Sequence, residues 1–544
     1  MKSDRRTFLN SSLALAMGLA AGCGNDAAVS SSPIANTRHG PVEGRLEEGV
    51  YAFKGVRYGA DTGGRGRFMP PRPSQPWTDP APALEYGPAC PQSRPASGRE
   101  MPEGESEDCL HLNVWTRGLR DGKKRPVMVW LHGGGLWRLS AAGAWQAGRN
   151  LSARGDVVMV SPNHRISVLG FSHFGDINPD YEGSSHAGML DLILALKWVQ
   201  ENIEEFGGDP DNVTIFGQSG GGQKVSLLMA MPAAKGLFHK AVIQSGPMPL
   251  TLERAYANDL ASRFLARLDN PGADADALAQ APLSDVMKAY YETFDEIGGF
   301  GVMGIVQDVA PVVDGDILPQ QPFWNSAPDV SKDIPLIIGS TRTEMTEYNL
   351  MEDPDAAGMD FSGAATRLRS IFGDDAEKIL ARYRENHPDA SAWEVYALIR
   401  SDWPTRLFSL HIADRKLEQG GAPVFVYRTD WETQDRDGLL MAPHAIDIQF
   451  VLDTADATEP LGLQAAERKI MTEYMSGAWL SFARNGAPKA PGGPDWPQYS
   501  LPSRPTFIFD LECRIENDPD GDDIAILREN ASRYRLVAGG INQD

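Results

Sequence analysis

A short run of β-branched and aromatic residues, Val213-Thr-Ile-Phe216, passes directly into Gly217-Gln218-Ser219-Gly220-Gly221 and from there into helical spacing that ends near Met231. A chain that leaves a strand and enters a helix within two residues must turn sharply. Such a turn crowds the positions two before and two after its apex, which favours glycine at both, and it pushes the apex side chain out of the sheet. The apex here is Ser219, and the segment fits the G-x-S-x-G pattern of a nucleophile elbow. In a chain with 55 glycines among 544 residues the bare pattern arises readily by chance, so its position between strand and helix carries the weight.

The surrounding pattern fits a sheet covered by helices. Short apolar runs at 127–131, 157–160, 241–244, 335–338, 423–427 and 506–509 read as buried strands, and several alternate with segments of helical length. The segment 188–206 places Leu190, Ile193, Leu194 and Trp198 at helical spacing and stops at Gly207-Gly208, and a long helix is expected around 467–484. These alternations predict a doubly wound α/β domain with a large, mostly parallel central sheet. The stretch 250–306 is expected to be mostly helical and to form a lid insertion. No Pro/Gly/Ser-rich linker or like-charge run divides the interior, which predicts one catalytic domain over 37–540.

A serine hydroxyl near neutral pH needs a base to take its proton and donors for the oxyanion formed on attack. The donors have candidates in the loop His132-Gly133-Gly134-Gly135, which follows the strand at 127–131, and in the backbone N–H of Gly220 at the helix start. For this fold the acid precedes the base in the chain, after the later strands, which leaves His387, His411 and His444 among the ten histidines. His387 lies before a proline in a charged segment and His411 lies in a helical pattern. His444, in a loop after the strand at 423–427, is best placed to reach the elbow. Glu344 and Glu347 both lie just beyond the strand at 335–338, and spacing does not separate them.

Several segments together resemble the type-B carboxylesterase family, which includes the cholinesterases, from about residue 37 to 526. They are Glu107-Asp-Cys-Leu-His-Leu-Asn-Val-Trp115, His132-Gly-Gly-Gly135, Asn163-His-Arg165, Phe206-Gly-Gly-Asp-Pro210 and Gln244-Ser-Gly246, with the elbow itself. The resemblance implies an α/β-hydrolase that cleaves small-molecule carboxylic esters, with Ser219 as nucleophile, His444 as base and no cofactor or metal. It implies Gly134, Gly135 and Gly220 as oxyanion donors and Cys90–Cys109 as a disulfide. It selects Glu344 over Glu347, because Gly339-Ser-Thr-Arg-Thr-Glu344 is similar to the family's acid motif. Gln218 and Gly220 depart from the family's usual Glu and Ala, and Leu136 stands where an aromatic residue is common. The same triad acting on an amide, thioester or lactone, or a non-catalytic cholinesterase-like binding protein, are the rival readings.

The ends and the charge bear on location and partners. Lys2, Arg5 and Arg6 precede an apolar run at 8–21, the length of a signal h-region, and the arginine pair resembles a twin-arginine signal. Leu19-Ala-Ala-Gly-Cys23 resembles a lipobox, so Cys23 would carry a lipid and tether the protein to a membrane. These features predict an export signal over 1–22, a flexible linker over 23–36, and an exported protein, periplasmic or membrane-anchored, in a bacterium. A net charge of −22 argues against nucleic acid, because phosphate binding needs a basic face. No Cys/His spacing suggests a metal site.

Overall fold

The computed structural model describes residues 32–94, 104–297, 309–456 and 465–530. Their main sheet has eleven strands: β1 Arg45–Glu47, β2 Val50–Arg57, β3 His111–Thr116, β4 Arg125–Leu131, β5 Val158–Pro162, β6 Gly208–Gln218, β7 Lys240–Gln244, β8 Leu336–Thr341, β9 Val424–Thr429, β10 Pro505–Phe509 and β11 Arg514–Asn517. Their spatial order is β11-β10-β9-β8-β7-β6-β4-β5-β3-β2-β1. The seven strands from β5 to β10 in that order, β4 included, pair parallel, and antiparallel strands flank them on either side.

Parallel strands are joined by crossovers that lay helices over the sheet, so their side chains are buried on both faces. Alternation along each strand sorts them into two cores. Val127, Val129 and Leu131 of β4, Val213 and Ile215 of β6, and Leu336 and Ile338 of β8 join one core. Met128, Trp130, Phe216 and Ile337 join the other. Helix Ala187–Asn202 covers the first face with Met189, Leu192, Leu196 and Val199. Helix Ala465–Asn485 covers the second with Met471, Met475, Trp479 and Phe482. The predicted helices at 188–206 and 467–484 are therefore the two that close opposite faces. Of the helical stretch expected at 250–306, the described part forms helices Arg254–Arg267, Ala275–Gln280 and Leu283–Glu296.

The ordered fold starts earlier than residue 37: Ile34–Asn36, assigned to a flexible linker, is a strand paired antiparallel with Pro41–Glu43 in a small accessory sheet. The alternation of so short an edge segment is too brief to read without its partner. The disulfide implied by the resemblance is absent here. Cys90 and Cys109 are buried free thiols, and Cys109 hydrogen-bonds to Cys90, so the pair is in contact without the S–S bond of about 2.05 Å that a bridge requires. The export signal over 1–22 and Cys23 lie outside the described residues. Among the described residues no helix is long and apolar enough to cross a membrane.

Candidate active site

The carboxyl ends of the parallel strands converge on one edge of the sheet, where ligands bind in open α/β folds. Ser219 sits between β6 and helix Gly220–Leu228 with φ +58 and ψ −125, a conformation rare for a residue with a side chain. The flanking glycines are required by contact. A Cβ on Gly217 would lie 2.7 Å from the Leu131 carbonyl oxygen, and one on Gly221 would lie 2.1 Å from the same atom. The strained turn is held from both sides, because Ser219 N–H donates to the Gln244 carbonyl at 2.8 Å and the Ser219 carbonyl accepts from Gln223 N–H at 3.1 Å.

The glycine loop after β4 lies against this turn. Gly134 and Gly135 both adopt left-handed conformations, with φ +84 and +61. A Cβ on Gly220 would fall 2.1 Å from the Gly135 carbonyl oxygen and 2.4 Å from its nitrogen. That close approach accounts for glycine rather than alanine after the serine: in this chain the two backbones touch. Among the described hydrogen bonds the N–H groups of Gly134, Gly135 and Gly220 donate to nothing, and the last heads a helix, where backbone donors have no intrahelical partner.

Glu344 and His444 come together beside Gln218, the residue before the serine. The Glu344 carboxylate, fully buried, hydrogen-bonds through Oε2 to His444 Nδ1, while its Oε1 accepts the Thr341 N–H at 2.7 Å. A reciprocal clamp locks the two loops, since Thr343 N–H donates to the Ala442 carbonyl at 3.2 Å and Ala442 N–H donates to Thr343 Oγ1 at 2.8 Å. The other candidates are engaged elsewhere. His387 Nε2 pairs with Asp523 at 2.7 Å, and His411 Nε2 hydrogen-bonds the carbonyls of Phe323 and Trp324. Glu347 lies on the following helix, Thr346–Glu352, with no bond to His444 among the described contacts.

Residues that the sequence did not assign complete the surroundings. The Gln218 amide nitrogen lies 3.0 Å from His444 Nε2 and 3.4 Å from Nδ1. A donor in the ring plane at Nε2 would be much farther from Nδ1, so the amide sits over the imidazole face and does not lie along the Nε2 lone pair. Lys224, on the helix after the elbow, is fully buried and donates to the His132 carbonyl at 2.8 Å, tying that helix to the glycine loop. Burial without a carboxylate partner pushes its ammonium well below the usual lysine range. Asp447, also buried, accepts from Gln244 and from the Tyr427 hydroxyl, and burial raises its carboxyl to about 6. Ser245 follows β7 with φ +49, and its hydroxyl is buried without a partner among the described residues. One wall of the site is aromatic and cationic. The Trp137 ring lies where a Cβ on Gly135 would meet it at 2.9 Å, the Arg138 guanidinium stacks 4.8 Å over that ring, and the Tyr348 ring meets His444 edge-on at 5.7 Å between centroids. Trp403 and Phe450 are fully buried in the two cores, away from that wall's exposed guanidinium.

Comparison with known proteins agrees with this architecture. Residues 31–524 match the Carboxylesterase family. The chain is 34% identical over 496 residues to the para-nitrobenzyl esterase of Bacillus subtilis (strain 168), covering 90% of this chain and 97% of that one. It is 33% identical over 481 residues to the phenmedipham hydrolase of Pseudarthrobacter oxydans, covering 86% and 93%. A crystal structure of a Geobacillus stearothermophilus carboxylesterase superposes with a TM-score of 0.78 at 34% identity, covering 91% of this chain and 99% of that one.

Proposed function

The chain belongs to the carboxylesterase family and is a carboxylic ester hydrolase, and from that premise we propose that it works through an acyl-enzyme on Ser219, with His444 as base and Glu344 as its orienting acid. His444 Nε2 takes the Ser219 proton as Oγ attacks the ester carbonyl carbon. The negative charge that develops on the carbonyl oxygen is met by the N–H groups of Gly134, Gly135 and Gly220. When the tetrahedral species collapses, the bond to the alcohol oxygen breaks and His444 returns the proton to the leaving alcohol. Water, deprotonated by the same imidazole, then attacks the acyl carbon and releases the acid and free Ser219.

The observation that carries this reading is the buried Glu344 carboxylate on His444 Nδ1. It fixes the tautomer whose Nε2 lone pair can accept a proton, and Gln218 lies over the ring face without occupying that lone pair. Hydrolysis of a p-nitrophenyl ester beside the p-nitroanilide of the same acid tests the bond that is cleaved. The expected result is rapid turnover of the ester and a far slower release of p-nitroaniline; faster cleavage of the anilide would make this an amidase.

The proposal extends to location and redox state. The charged, apolar and Cys23-terminated leader supports export and a lipid tether in a bacterial envelope, and the contact between Cys90 and Cys109 supports a bridge in the oxidised protein. Recovery of the Cys23→Ser variant in the same membrane fraction as wild type would rule out the tether.

A further inference from the structure

Beside the imidazole and the glycine loop stands a cation that the hydrolytic steps do not use. Arg138 closes the turn of that loop, its N–H donating to the Gly134 carbonyl at 3.0 Å. Its side chain is exposed, stacks on Trp137, which leans on Gly135, and faces the hydroxyl of Tyr348, whose ring abuts His444. Trp137, Arg138 and Tyr348 thus form a continuous wall from the oxyanion glycines to the base. Among the described residues no carboxylate pairs with the Arg138 guanidinium within salt-bridge distance; Glu347, the acid next to Tyr348, forms no ion pair with it. Among the described residues most arginines have an Asp or Glu within salt-bridge distance, as Arg94 has Asp295 and Arg154 has Asp453.

We infer that Arg138 is a recognition site for a substrate carboxylate, so that the enzyme accepts esters carrying a free acid group, such as monoesters of dicarboxylic acids. The guanidinium offers a planar fork of donors that matches a carboxylate; Trp137 stacks on its plane and the Tyr348 hydroxyl takes one donor, which leaves the others for an anion. An anionic ester approaching a protein of net charge −22 is otherwise repelled. A local unpaired cation at the catalytic wall offsets that repulsion where the ester carbonyl must be placed. This inference rests on the ester hydrolase reading and specifies its substrate class.

The test compares p-nitrophenyl hydrogen adipate and suberate with p-nitrophenyl hexanoate and octanoate, in wild type, Arg138→Gln and Arg138→Lys. Loss of a charge-assisted pair predicts that Arg138→Gln lowers kcat/KM for the acid-bearing esters by about 10- to 100-fold, mainly through KM. Its effect on the neutral esters is expected to be at least tenfold smaller, on the same grounds. Arg138→Lys should recover part of the loss, and added salt should erode the wild-type rate on the acid-bearing esters selectively, because the guanidinium is exposed. Equal losses on both ester types, or no loss on the acid-bearing esters, would overturn the inference. Turnover of the neutral esters reports on folding and on the hydrolase itself. If wild type cleaves the neutral esters but not the acid-bearing ones, recognition by Arg138 fails alone; if it cleaves neither, the ester reading fails with it.

Discussion

Ser219→Ala is expected to lower kcat on p-nitrophenyl esters by about 10⁶-fold with little change in KM. The Ser219 hydroxyl forms the covalent bond, and no neighbouring hydroxyl stands at the apex of the turn to replace it. Ser245, which follows β7, has a buried hydroxyl. The substitution leaves the backbone as strained as before, because Ser and Ala are equally disfavoured at φ +58. Stability should therefore change little, and a loss of activity cannot be attributed to unfolding. What survives comes from the oxyanion donors and from substrate binding, which act without the nucleophile. Steady-state kinetics beside a thermal melt check both statements.

Glu344→Gln is expected to cost about 10⁴-fold in kcat, although it changes one atom. The reason lies in how the carboxylate is held. Oε1 accepts the Thr341 N–H, so a glutamine would turn its carbonyl oxygen to Thr341 and present its NH₂ to His444 Nδ1. The imidazole would then have to accept at Nδ1 and carry its proton on Nε2, the tautomer that cannot take the serine proton. The imidazolium formed during attack would also lose its buried counter-charge. Glu347→Gln is the control, since that side chain has no bond to His444, and kcat there should remain within a few-fold of wild type. Equal losses in the two variants would mean that the acid has been misassigned.

The legible part of the molecule was its parallel core. Runs such as Val127-Met-Val-Trp-Leu131 and Val213-Thr-Ile-Phe216 are buried on both faces and declare themselves by composition, and the elbow declares itself by the glycines that close contact with Leu131 demands. The antiparallel margin was not legible. Strands such as Arg45–Glu47 and Arg514–Asn517 are short and partly exposed, and they exist only by pairing with a neighbour. In the site, chain order narrowed the histidines to three and left two glutamates, because order carries no distance. The amide of Gln218 over the His444 face joins residues 226 apart, and the buried Lys224 grips a carbonyl 92 residues away. Neither contact leaves a trace in local pattern. Gln218 stood out in the sequence only as a departure from the family's usual glutamate. The structure gives it a place: a neutral group over the ring of the base, where a carboxylate would favour the charged imidazole.

An acyl group held on Ser219 can be trapped during turnover. Wild type and Ser219→Ala are mixed rapidly with excess p-nitrophenyl ester, quenched in acid within milliseconds, and digested for mass spectrometry. A burst of p-nitrophenol or a measurable acylated fraction is expected in wild type, with the acyl mass on the peptide that contains Ser219 and none on any peptide of the variant. An acyl group on another residue, or full ester turnover by Ser219→Ala, would contradict the acyl-enzyme on Ser219.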